Sequence, residues 1–164
     1  MLVGLCACGG GSGRSAPRVT SPKALLRVTV VTTGAVSESA TYTVTTGPQG
    51  AASCAAAAET GNSSPRQFTV RGPGSRVAPL YFEFRTIAYH GPAKYEQRAV
   101  KFDSVLAMVG GKSVYFERAP DSRVSMTVDQ DGSGTASFAS FVSSDGRSLN
   151  GVATWRCETS PVAA

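Results

Sequence analysis

The chain is poor in the residues that most enzymes and metal proteins concentrate. Among 164 residues there is one histidine, one tryptophan and four cysteines, and only 16% of positions are charged. No C-x-x-C pair occurs, and His90 has no cysteine near it in sequence, so the clustered ligand sets of a zinc site are missing. No serine stands in a G-x-S-x-G elbow between strand and helix. Carboxylates are scattered, so no paired acid/base arrangement is indicated. Long stretches of Leu, Glu and Lys are absent too, which argues against a helical fold. At 41% hydrophobic residues the chain is not apolar enough for a membrane span, nor charged enough for wholesale disorder. The expectation is a protein with no catalytic residues, no metal and no cofactor.

What the sequence has in quantity is Gly, Ser, Thr, Val and Ala, a balance that favours strands and turns. From residue 24, apolar side chains recur at every second position, as in half-buried strands. Leu26, Val28 and Val30 form one such set; Tyr42 and Val44 alternate with Thr41, Thr43 and Thr45. Phe68 and Val70 make a short run, and Leu80, Phe82 and Phe84 share a face opposite Glu83 and Arg85. Val100, Phe102, Leu106 and Met108 fit a strand bulging near Ser104. Val114 and Phe116, then Val124, Met126 and Val128, then Ala136 and Phe138, then Leu149 to Cys157 complete the pattern. Asp131-Gly132-Ser133-Gly134 and Asp145-Gly146 read as turns, glycine accepting the positive φ of a tight hairpin. The expected fold is all-β, an antiparallel immunoglobulin-like sandwich of roughly eight strands. The only helix expected is one turn at Ala55-Ala56-Ala57-Ala58-Glu59.

The economical pairing of the two body cysteines is a Cys54–Cys157 disulfide in an oxidising compartment; two unrelated buried thiols is the alternative. Trp155 and Cys157, two apart, point to one face of the last strand and place the tryptophan in the core.

Several motif fragments reduce to turns. Gly110-Gly111-Lys112-Ser113 resembles the end of a phosphate-binding loop. That pattern needs glycine where Leu106 stands and a helix where Val114-Tyr115-Phe116 reads as strand, so a hairpin turn is expected. Asp129-Gln130-Asp131-Gly132-Ser133-Gly134 lacks the third oxygen ligand, and its closing position is Ser140, so no calcium loop is expected. His90, in Tyr89-His90-Gly91-Pro92, is read as a turn or packing residue.

Charge is unevenly spread. Residues 66–101 hold seven basic side chains (Arg66, Arg71, Arg76, Arg85, Lys94, Arg98, Lys101) against Glu83 and Glu96. That stretch equals the whole net charge of +5. Arg66, Arg71, Arg76, Arg98 and Lys101 are the candidates for binding an anionic lipid or wall polymer. Nucleic acid is not expected as a partner, because the aromatics occupy core-facing positions.

At the start of the chain, Leu5-Cys6-Ala7-Cys8 resembles a bacterial lipobox. In lipoproteins of that kind the final cysteine carries the lipid, which here is Cys8. Only Met1 to Ala7 precede it, without Lys or Arg, so the expectation is a truncated signal or a start lying upstream. The Gly/Ser/Pro-rich residues 9–23 resemble the tether of such proteins, with a typical reach of roughly 20 Å. The division expected is signal and lipobox at 1–8, tether at 9–23, β domain at 24–158 and a tail at 159–164.

Together with Asp131-Gly132-Ser133-Gly134 and Trp155-Arg156-Cys157, the plan is similar to exported actinobacterial-type lipoproteins, and distantly to the mycobacterial lipoprotein antigens. That resemblance implies a monomer anchored by lipid to the outer face of the cytoplasmic membrane, acting as a binding or interaction module. Thr43-Val44-Thr45, Gly47-Pro48 and Ala52-Ser53-Cys54-Ala55-Ala56 also resemble subtilisin-inhibitor-like proteins. The cysteine before the turn and the second disulfide of that family are absent. A lipid carrier, such an inhibitor and a wall hydrolase are the alternatives. A deep apolar cavity would mark the first, a disulfide-braced loop the second, and a cleft joining His90 to a carboxylate the third.

Overall fold

The computed structural model describes residues 24–45, 53–63, 66–72 and 80–159. In chain order the elements are β1 (Ala24–Gly34), β2 (Glu38–Thr45), α1 (Cys54–Thr60), β3 (Thr69–Arg71), β4 (Leu80–Thr86) and β5 (Ala93–Glu96). A 3-10 turn at Gln97–Ala99 leads to β6 (Val100–Lys101), β7 (Ser104–Val109), β8 (Lys112–Val128), β9 (Gly134–Ser143) and β10 (Ser148–Thr159). The pairings are antiparallel and run in the order β2-β1-β10-β9-β8-β7-β4-β3, with β5 on β8 and β6 on β4. The all-β expectation therefore holds, with the strands joined in one sheet that is nearly closed, like a barrel. Tyr42 of β2, at one end of the order, lies 6.4 Å from the ring of Phe82 in β4, near the other end. Rolling a sheet in this way leaves little exposed edge to pair with another chain.

Period-two alternation decides which side chains fill the interior. Leu26, Val28 and Val30 of β1, Phe82 and Phe84 of β4, Met126 of β8, Phe138 of β9 and Trp155 of β10 are all buried. Phe84 stacks on Phe102 at 4.0 Å, and Phe102 stands 5.1 Å from Phe138 and 5.0 Å from Phe141. Each such pair contributes about 0.5–1.5 kcal/mol beyond its buried area. Phenylalanine rings thus occupy the middle of the curled sheet.

Two segments depart from the sequence reading. The runs around Phe116 and Met126, expected as separate strands, belong to one strand of 17 residues. Its register with β9 shifts between Arg118 and Arg123. Pro120 sits in that unpaired step, where no N–H is required of it. Ser122 Oγ accepts from the Ala119 N–H at 2.8 Å and donates to the Ser140 carbonyl at 2.6 Å, filling the place of ladder bonds. The shift lets β8 pair with β7 along its first half and with β5 along its second. Conversely, the strand expected from Val100 to Met108 is divided. β6 pairs with β4, Phe102 turns inward, and β7 begins at Ser104.

Cys54 and Cys157 form the disulfide, with Cα atoms 5.7 Å apart. It fastens the first residue of α1 to β10. Ser53 caps α1 by accepting the Ala56 N–H at 3.2 Å. Nearby, Trp155 Nε1 donates to the Gly132 carbonyl at 2.9 Å, and its ring lies 5.9 Å from Phe68. Gly134 faces the same indole: a Cβ there would overlap the Thr127 carbonyl oxygen and stand 2.6 Å from Trp155 Cζ2. The turn that the sequence marks as Asp-Gly-Ser-Gly is therefore packed against both the tryptophan and the bridge.

Candidate functional site

The outward residues of β2, β1, β10, β9, β8 and β5 align into rows when the registers are followed across the sheet. One row reads Thr41, Thr29, Thr154, Thr135, Thr127, Lys94. The next reads Ser39, Val31, Val152, Ser137, Ser125, Glu96. Hydroxyls bond across strands within these rows, Thr29 to Thr41 at 2.9 Å and Ser125 to Ser137 at 2.8 Å. Most of this face therefore consists of short donor–acceptor side chains, with Val31 and Val152 as its exposed apolar pair.

The face is not flat. An open groove of about 720 Å³ crosses it, lined among others by Val31, Val152, Ser137, Asn150, Arg123 and Gln97. Its shape follows from a double irregularity at Ser140. On one side β8 slips between Arg118 and Arg123; on the other β10 slips between Leu149 and Gly151. Ser140 takes φ 58°, a left-handed conformation uncommon for a side-chain-bearing residue. Its N–H donates to Asn150 Oδ1 at 2.9 Å, which fixes that amide on the groove wall. Gly151 leaves room beneath for the Phe138 ring, since a Cβ would stand 2.6 Å from Phe138 Cζ. Bulges of this kind bend a sheet and re-aim side chains.

The residues expected to bind an anionic surface are distributed over several elements. Arg71 in β3 lies opposite Glu83, and Lys101 in β6 lies opposite Arg85. Arg66 is in the turn before β3 and Arg98 in the 3-10 turn; Arg66, Arg71, Arg98 and Lys101 are all exposed. Arg76 lies outside the described residues, as do Cys8, the lipobox and residues 9–23. Within the basic stretch, Arg85 pairs with Glu83 at 3.1 Å, Lys94 with Glu96 at 2.5 Å and Lys101 with Asp103 at 3.9 Å. Lys94 belongs to the hydroxyl-lined face, apart from β3, β4 and β6.

Tyr81, Leu106 and Tyr115 are successive cross-strand neighbours, and Tyr81, Tyr115 and Met108 are exposed. Sequence reading did not single out this patch or the threonine row. The alternation of Thr41, Thr43 and Thr45 was the one visible sign of the row.

The remaining motifs take the form of turns. Gly110 and Gly111, at φ 56° and 79°, make the two-residue hairpin between β7 and β8. In the 129–133 turn, Asp131 Oδ1 accepts the Ser133 N–H at 2.9 Å. Asp145 accepts from Ser143 Oγ at 2.5 Å and pairs with Arg147 at 2.6 Å; these bonds hold its carboxyl well below the usual range. The exposed His90 has its ring 4.9 Å from Tyr95, whose Oη accepts the His90 N–H at 3.2 Å. Among the described residues no group of His, Cys, Asp and Glu could hold a metal ion. No protein-family model, curated protein or solved structure significantly matches this chain.

Proposed function

We propose that this chain is an exported, lipid-tethered and non-catalytic binding module of a bacterial cell envelope. The groove on its hydroxyl-lined face would receive the ligand. The observation that carries the reading is that groove. It is an open depression bordered by the hydroxyls of Thr33, Ser125 and Ser137, an oriented Asn150 amide, the opposite charges of Arg123 and Glu96, and the Val31–Val152 pair. Such a lining suits a hydroxyl-rich polymer of the wall, which offers many hydrogen-bond partners along an extended length. Lipid carriage is disfavoured because phenylalanine rings fill the interior, where a carried chain would lie. Inhibition is disfavoured because the disulfide clamps α1 to β10. Lipidation at Cys8, placement on the outer face of the membrane and the likeness to actinobacterial-type lipoproteins belong to the same proposal. So does the immunoglobulin-like sandwich, with the Tyr42–Phe82 ring contact as a point where β2 and β4 would pack across its interior.

Two experiments test the proposal. Hydrogen exchange of the full chain, with and without purified wall polymer, should show added protection in β9, β10 and the second half of β8, and Ser137→Arg should remove it. Unchanged exchange on that face would refute the binding site. With a complete signal restored upstream, Cys8→Ala should abolish acylation and release the protein from membranes. Membrane association that survives the substitution would refute the anchor.

A further inference from the structure

Arg27 of β1 and Arg156 of β10 are direct cross-strand partners. Both are exposed, and neither takes part in an ion pair among the described residues. Side chains so placed have Cβ atoms about 4.5–5.5 Å apart, and like charges there destabilise the sheet. Among the described residues the surroundings do not supply the missing partner. Thr43 stands beside Arg27 on β2, while Thr29 and Thr154 occupy the next row. An open hollow of about 640 Å³ is lined by Arg27, Thr29, Thr154, Trp155, Arg156 and Glu158. Glu158 is the one carboxylate in it, beyond ion-pair reach of both arginines, so two guanidinium groups face one acidic group.

We infer that the Arg27–Arg156 pair, with the hydroxyls of Thr29 and Thr154, is a binding site for a phosphate oxyanion. Two planar guanidinium forks present donors that match tetrahedral oxyanion geometry. The neighbouring hydroxyls can donate to remaining oxygens. A bound phosphate also removes the repulsion that the pair carries when empty. The site lies at one end of the hydroxyl-lined face, on strands other than those that carry Arg71, Lys94 and Lys101. It deepens the reading of that face as a binding surface and rests on it, adding a phosphate-bearing ligand to the ligand's description.

The test uses the full chain and two phosphate sources. Titration calorimetry with inorganic pyrophosphate reads binding of a discrete phosphate. Sedimentation with phosphatidylglycerol vesicles, against phosphatidylcholine vesicles, reads a headgroup source. Arg27→Gln or Arg156→Gln should weaken binding roughly tenfold, and the double variant roughly a hundredfold, the effect of losing one or two charge-assisted hydrogen bonds. Arg156→Lys should retain more affinity than Arg156→Gln, and Lys112→Gln with Arg118→Gln, which removes the same charge elsewhere, should leave binding unchanged. Without ligand, the single Gln variants should melt no lower than the parent, and pyrophosphate should raise the parent's midpoint more than theirs. Arginine-dependent binding to either source supports the site, and the responding arm names the source. Absence of binding, or equal loss from the Lys112/Arg118 control, overturns it. If wall polymer still protects β9 and β10 in that case, only the phosphate inference falls.

Discussion

Replacing both body cysteines, Cys54→Ala with Cys157→Ala, removes a cross-link between residues 103 apart in sequence. For a loop near that length, the chain-entropy account gives roughly 4.7 kcal/mol at 25 °C. The structure argues for a smaller net loss. β1 and β10 pair along the whole of β1, from Ala24 opposite Thr159 to Gly34 opposite Leu149, so β10 stays seated without the bridge. What loosens is α1, whose seven residues are too few to persist without tertiary support. Buried Ala57 and Ala58 would then be partly exposed. The expected loss is about 3 kcal/mol, below the entropy ceiling because some denatured-state structure persists. With a guanidinium m-value on the order of 4 kcal/mol/M, the midpoint should fall by about 0.7 M. Trp155, the single tryptophan, buried beside the bridge, reports the transition by fluorescence. A parent protein reduced before unfolding should overlay the variant. A midpoint shift under about 0.2 M would refute the reasoning, since the bridge would then be constraining nothing that the sheet does not already hold.

Tyr42→Phe should be neutral or stabilise by up to about 1 kcal/mol, because the buried Tyr42 hydroxyl has no partner among the described residues; Tyr89→Phe should cost about 1–2 kcal/mol by removing the 2.6 Å bond to the Ala58 carbonyl. Equal effects in chemical denaturation would contradict this. Burial pushes both phenols above their ordinary value, so the folded state favours the neutral form. Stability should hold below pH ~10 and fall as pH rises beyond it, and the double Phe variant should flatten that alkaline limb. Gly134→Ala should destabilise by about 3 kcal/mol or more, since the Thr127 backbone cannot yield. Gly110→Ala, with open space but φ 56°, should cost about 1 kcal/mol in the same melts. Carboxyl NMR should find Asp145 titrating below ordinary aspartates. Being depressed, it supports the turn above pH ~4 and loses that support as pH falls, whereas Arg147→Ala should raise its titration toward the usual range, with the Ser143 bond keeping it somewhat low.

Most of the strands, several turns and the bridge were legible in the sequence. Alternation of Leu26, Val28 and Val30, or of Val124, Met126 and Val128, fixes which side of a strand meets the core, because successive side chains point to opposite faces. Gly110-Gly111 and Asp145-Gly146 were readable because few other residues accept a positive φ. Cys54 and Cys157 were readable because only one economical pairing of the body cysteines exists. Tertiary structure alone decided which strands are neighbours. The slip in β8 around Pro120, the φ of Ser140 and the split at Phe102 depend on partners far away in the chain. The threonine row and the Arg27–Arg156 pair depend on register between strands separated by more than a hundred residues. A charge run such as 66–101 is visible in one dimension. A pair made by residues 27 and 156 is not, because it exists only once β1 and β10 have found each other.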